Sequence, residues 1–122
     1  MASESAARAR RIAAQVGRMS DDQRAELAKK MPGVANPQGH TLSITNSIGL
    51  MMQCGRTDLT IVAGFRQWMK AGRSVTKGER SIGCILVPCA AKGETPESSD
   101  QIWFRAVPVF DVSQTDAIVG AA

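Results

Sequence analysis

The apolar and polar positions of the chain fall with helical periodicity in the first half and in strand-like runs in the second. In residues 5–18 (S-A-A-R-A-R-R-I-A-A-Q-V-G-R), Ala9, Ile12, Ala13 and Val16 recur at three- and four-residue steps. That spacing predicts an amphipathic helix with a weak apolar stripe, ending near Gly17. Ser20-Asp21-Asp22-Gln23 follows and reads as a capping box, the Ser20 hydroxyl accepting from the third helical amide while Gln23 reaches back. Asp21 and Asp22 suit the positive end of a helix dipole. A second helix is therefore expected from about Asp21 to Lys30, stopped by Pro32-Gly33. After a turn at Asn36-Pro37-Gln38-Gly39, a third helix is expected from Thr41 or Ser43, burying Ile44, Ile48, Met51 and Met52 and closed by Gly55.

From there the period shortens. Leu59-Thr60-Ile61-Val62 is brief and rich in β-branched residues, which predicts a strand. Gly64 opens a short helix through Ala71, with Phe65, Trp68 and Met69 at i, i+3, i+4. Ser74-Val75-Thr76 and the apolar run Ser81 to Val87 flank Lys77-Gly78-Glu79-Arg80, a pattern that predicts a hairpin turning at Gly78. Lys92 to Asp100 is a polar loop, and Ile102 to Val109 predicts a further strand whose end, at Pro108, sits at an edge or bulge. Gln114 to Ala122 reads as a frayed or tethered tail. Helices first and a small, mostly antiparallel β-sheet after them make the expected class α+β. The expected organisation is one compact body: a helical segment over 1–35, the main unit over 36–116 and a tail over 117–122.

Composition narrows the function classes. At 122 residues, 43% of them hydrophobic and 21% charged, the chain is long enough for one modest core and too apolar to be largely disordered. The aromatics are Phe65, Trp68, Trp103, Phe104 and Phe110, so the core must be mostly aliphatic. Three cysteines (Cys54, Cys84, Cys89) without a C-x-x-C pair argue against a disulfide framework and for a reducing compartment. No signal peptide or membrane-length apolar run occurs, so the expected location is cytoplasmic, with no membrane partner. The one histidine, His40, lies in a turn without a second histidine to complete a zinc site, so no metal and no cofactor are expected. There is no condensed Gly-rich phosphate loop and no paired nucleophile and base, and the reading is of a non-enzymatic protein.

Charge is placed unevenly. The net charge is +4, but residues 56–92 carry Arg56, Arg66, Lys70, Arg73, Lys77, Arg80 and Lys92 against only Asp58 and Glu79. Residues 93–122 carry Arg105 against five acids. A basic centre beside an acidic end suits a polyanion on one face; the plain alternative is that the cations are solvated on all sides. Arg8, Arg10 and Arg11 do not share one helix face and read as solvated.

A binder of single-stranded nucleic acid needs cations along the phosphates and aromatic faces for unpaired bases. Arg66, Lys70 and Arg73, at i, i+4, i+7, and Lys77 and Arg80 at the following turn supply the first. For the second, Trp68 is either core or a base contact. Trp103 shares a strand face with Arg105 and is the stacking candidate, while Phe104 is expected in the core with Ile102 and Ala106. Asn46 and Gln53, polar on an otherwise apolar helix, bond either a ligand or the fold itself.

The run V-A-G-F-R-Q-W…A-G-R-S-V-T-K-G-E-R-S-I-G-C-I-L-V-P, with F-R-A-V-P-V-F-D-V-S-Q-T after it, resembles the N-terminal single-stranded-DNA-binding domain of ArdC-type antirestriction proteins of plasmids, phages and bacteria. L-S-I-T-N-S-I-G-L-M-M-Q resembles the same family's helix, with Ser43, Asn46 and Gln53 in matching places. The resemblance covers roughly residues 41–116 and implies an α+β domain that binds single-stranded DNA with little sequence preference. The chain departs from the pattern at Leu42, where the family commonly has Tyr, and at Cys54, where it has Pro. Longer members continue into a zinc peptidase-like domain with an H-E-x-x-H motif, which this sequence lacks. The rival expectation is a protein-interaction module that inhibits a host nuclease or defence enzyme.

Overall fold

The computed structural model describes residues 3–30 and 33–119. Helix α1 (Glu4–Gly17) starts at Ser3, whose hydroxyl accepts from the Ala6 amide at 3.0 Å. Its buried residues, Ala9, Ile12 and Val16, belong to the predicted stripe. They press onto α3 (Ile44–Cys54), where Ile12, Val16 and Ile48 make one of two apolar clusters. Helix α2 (Asp21–Ala28) opens on the expected capping box, with Gln23 N–H donating to Ser20 Oγ at 3.1 Å and Ser20 N–H to Gln23 Oε1 at 2.9 Å. Pro32, expected to stop this helix, lies outside the described residues. Helix α3 is capped by Ser43 and ended by Gly55 at φ 72°. Ile44, expected in the core, is exposed because it occupies the first helical turn, ahead of the packed face at Ile48, Gly49 and Leu50.

The second cluster joins Val34, Leu50, Leu59, Val62 and Val109 and holds α3 to the sheet. That sheet has the order β1-β4-β3, formed by β1 (Val62–Ala63), β3 (Gly83–Ala90) and β4 (Ile102–Asp111), all antiparallel neighbours. Between β1 and β4 the short helix α4 (Phe65–Lys70) leads into β2 (Arg73–Val75). The class is α+β, helices before strands, as expected.

Four expectations are corrected. The strand at Leu59 to Val62 shrinks to Val62–Ala63, because Leu59 turns into the core and Ile61 makes only an isolated bridge with Ala35. No hairpin joins β2 to β3: β2 pairs antiparallel with β5 (Thr115–Ala117), in the segment expected to be a tail. Pro108 does not end its strand, since β4 continues to Asp111. Finally, Phe104, 47% exposed, and Ile102, 46% exposed, both lie outside the core.

The last two share one cause. β4 has ten residues, and β1 pairs with it only at Phe110 and Asp111. Backbone groups along a strand alternate between its two edges. In β3 the even positions Cys84 and Leu86 give their N–H and C=O groups to the side chains of Gln53 and Asn46. The odd positions therefore face β4, and in β4 the register puts Val109, Val107, Arg105 and Trp103 toward β3. Pro108, at an even position, turns its missing N–H to the edge that β1 has already left. Further out, no strand pairs with the outer edge of residues 102–105, and Trp103 and Phe104, on opposite faces of the ribbon, are 52% and 47% exposed. Arg10 of α1 reaches this open edge, donating from Nη1 to Phe104 O at 3.1 Å.

Candidate nucleic-acid interface

Helix α4 begins at Gly64 and is anchored by Trp68, which is 2% exposed and donates Nε1–H to Phe110 O at 2.9 Å. Trp68 therefore resolves as core, because burial leaves it no ring face for a base. The substitution Trp68→Phe is expected to lower stability by about 1–3 kcal/mol, through the lost donor and volume. Urea unfolding checks this, and oligonucleotide affinity should not change with it.

Arg66 and Lys70 are exposed on α4, four residues apart, beside the exposed Phe65 and Met69. The Phe65 ring meets Phe110 edge-on, with centroids 6.5 Å apart. Arg73 does not continue their helical face, since α4 stops at Lys70 and Arg73 is in β2. Its guanidinium is engaged inside, Nε donating to Thr115 Oγ1 at 2.7 Å and Nη2 to Thr115 O at 3.0 Å. Lys77 and Arg80 lie exposed in the connection after β2, which turns at Gly78 with φ 91°.

That connection is held by the F-D-V-S-Q-T segment. Gln114, 8% exposed, donates to Arg80 O at 2.6 Å and to Glu79 Oε2 at 3.1 Å, and its Oε1 accepts from Asp111 N–H at 2.8 Å. Asp111 in turn caps the turn at Val112–Gln114 by accepting from Ser113 N–H at 3.0 Å. The motif's chemistry thus goes into placing the basic loop.

Trp103 and Arg105 occupy one face of β4, opposite Cys89 and Val87, and Trp103 is 52% exposed. With a strand rise of about 3.4 Å per residue, Trp103 is roughly 24 Å along β4 from Phe110, where α4 docks. The basic residues of α4 and its following loop thus belong to the Phe110–Gln114 end of β4, and Trp103 and Arg105 to the ribbon tip. Among the described residues Arg66, Lys70, Arg73, Lys77, Arg80 and Arg105 form no ion pair; Arg24, Lys29 and Arg56 form those present.

Residues 7–113 match the family model described as the N-terminal domain of anti-restriction factor ArdC. The chain belongs to this ArdC N-terminal domain family. Two crystal structures of the antirestriction ArdC protein from plasmid R388, one Mn(II)-bound and one metal-free, share the fold with TM-scores of 0.54 and 0.52. Each is 16% identical, and 95% of this chain is covered in both. The chain spans 41% and 42% of the length of those two structures. No curated protein matches it.

In this ArdC N-terminal domain, Asn46 and Gln53 have a defined local role. Asn46 Nδ2 donates to Leu86 O at 3.0 Å, and Leu86 N–H donates to Asn46 Oδ1 at 2.9 Å. Gln53 repeats this at Cys84, with 3.0 Å and 2.9 Å. The two amides continue the sheet where a further strand would sit and fix α3 against β3. Within the ArdC-type helix, Ser43 accepts from Asn46 N–H at 3.1 Å and so sets the helix start.

Other chemistry is sparse. Burial pushes the Cys84 thiol up, away from thiolate reactivity. Asp58 raises the Arg56 guanidinium further through their hydrogen bond. No three metal-ligating side chains gather among the described residues, and no helix described is long and apolar enough to cross a membrane. The pairing of Arg10 with Phe104 carries no signal in the sequence, because it joins residues 94 apart and depends on how α1 packs beside β4.

Proposed function

We propose that this domain binds single-stranded DNA with little sequence preference, by contact alone and without catalysis, in antirestriction on mobile DNA. The observation that carries the reading is Trp103, half exposed beside Arg105 at the uncovered end of the ribbon. A large aromatic on a strand with half its surface open to solvent is a stacking face for any base, which makes binding tolerant of sequence. Arg66, Lys70, Lys77 and Arg80, exposed and free of carboxylates among the described residues, serve the phosphates of the same strand farther along. Membership of the ArdC N-terminal family supports the antirestriction context.

Fluorescence anisotropy with a labelled thymidine oligomer tests it. Binding is expected at low salt, with Trp emission quenched, and Trp103→Ala should weaken it about tenfold, as loss of one stacked base does. No binding at about 100 µM protein, the weak end of nonspecific affinities, would overturn the reading.

A second reading, docking on a host nuclease or restriction enzyme, is favoured by one observation. Phe65 and Met69 expose an apolar pair on α4 beside Arg66 and Lys70. Oligomer length separates the two: a single-strand groove shows a site size, whereas a docking patch does not distinguish single from double strands.

A further inference from the structure

On the face of the ribbon opposite Trp103, a cavity of about 460 Å³ opens between the start of α3 and the strands. Ser43, Thr45, Asn46, Leu86, Pro88 and Phe104 line it. Its origin is geometric. The Asn46 amide fixes the first turn of α3 to β3 at Leu86, while β3 runs on to Ala90 and β4 starts at Ile102. Helix and ribbon diverge from that point, and the corner between them stays open. Leu86, Pro88 and, opposite Pro88, Phe104 lie on one face of the two strands and form an apolar floor. Ser43, whose hydroxyl accepts from the Asn46 amide, and Thr45 bring hydroxyl-bearing residues to the lining. Among the described residues the lining contains no acid and Arg10 forms no ion pair, and through its hydrogen bond to Phe104 O it brings a guanidinium to the same residue.

We propose that this cavity receives one unpaired nucleobase, stacked on Phe104 with its sugar-phosphate toward Arg10. Its size is that of small-molecule sites, and an aromatic floor lined by the hydroxyl-bearing Ser43 and Thr45 suits a planar ring with polar margins. The cation beside Phe104 complements a phosphate and would oppose a basic partner. Because Trp103 and Phe104 are consecutive and point to opposite faces, a strand crossing the open edge of β4 places one base on each. The proposal rests on the single-strand reading and specifies a base site within it that Trp103 does not provide.

The test compares a thymidine oligomer of about 15 nucleotides, near the upper site size of single-strand binders, with an abasic oligomer of equal length. Two variants probe the cavity: Phe104→Ala, at an exposed position, and Thr45→Phe, which fills it. Both are expected to weaken the thymidine oligomer about tenfold and to leave the abasic oligomer unchanged. In the wild type, amide resonances of Thr45 and Leu86 should shift on adding thymidine monophosphate. Wild-type affinity in both variants overturns the base site while leaving single-strand binding standing. Equal losses for both oligomers also overturn it, since Phe104 then acts through the backbone contacts. Shifts at Thr45 and Leu86 that follow protein concentration alone would assign the cavity to a second copy and overturn it as well. Absence of any oligomer binding by the wild type rejects the single-strand reading itself, and the base site with it.

Discussion

Converting Lys70, Lys77 and Arg80 together to glutamate is expected to abolish single-strand binding at physiological salt and to leave the urea midpoint within error of wild type. All three are exposed, and no hydrogen bond or ion pair of their side chains is present among the described residues. Their charge therefore has no work within the fold, and reversal removes phosphate contacts and adds repulsion. Single-strand affinity falls with log salt at a slope near 0.7 per phosphate contact, so four contacting cations predict a slope of about −3 in the wild type. The triple variant should lose most of that slope. By contrast Trp103→Ala should lower affinity at every salt concentration without changing it, because stacking releases no counterions. A control of equal charge change at Arg18, Lys29 and Lys30, on the α1–α2 side, should bind nearly as wild type. Matching losses in both triple variants would reduce the basic patch to net charge alone. Arg73 is left out deliberately: its bonds to Thr115 hold β2 to β5, and its replacement would confuse stability with binding.

What was legible in the sequence is what is local. The cap at Ser20, the start of the third helix near Ser43 and the stripe of Ala9, Ile12 and Val16 depend on neighbours within one or two turns, and each appears as read. The Gly78 turn was also legible, but its consequence was not. A positive φ reverses the chain without saying which strand meets it, and here the partner of β2 arrives some forty residues later at Thr115. The same limit governs the aromatics. Alternation along Ile102–Asp111 separates Trp103 from Phe104, yet which face is buried depends on what packs onto it from elsewhere in the chain, and both rings remain about half exposed. Trp68 and Phe65 both lie on the helical apolar side, but only Trp68 reaches the Phe110 carbonyl and the core. Asn46 and Gln53 stood out as polar residues on an apolar helix; that their amides meet the edge of β3 follows from packing between elements distant in sequence.

The substitution Gly83→Ala is expected to destabilise the domain by about 3–5 kcal/mol, from backbone strain together with a broken buried hydrogen bond. Gly83 adopts φ 153°, and a Cβ there would lie 2.8 Å from Gln53 Oε1 and 3.1 Å from its Cβ and Cδ. An exposed glutamine would swing aside. Gln53 cannot, because Nε2 donates to both Cys84 O and Gly49 O and Oε1 accepts from Cys84 N–H. Its displacement leaves the polar backbone of Cys84, 5% exposed, without a partner. Urea unfolding should show a lowered midpoint at an unchanged m-value. Gly17→Ala provides the contrast: no atom lies within 4 Å of its new methyl, and it should be neutral or mildly stabilising. Combining Gly83→Ala with Gln53→Ala should cost less than the sum of the two, since the second change removes the obstacle to the first. Additive losses, or a Gly83→Ala protein within about 0.5 kcal/mol of wild type, the range of ordinary surface changes, would mean that the Gln53 clip yields. A yielding clip would also let β3 shift against α3, and the cavity at Leu86 and Phe104 would lose the fixed corner on which base recognition there depends.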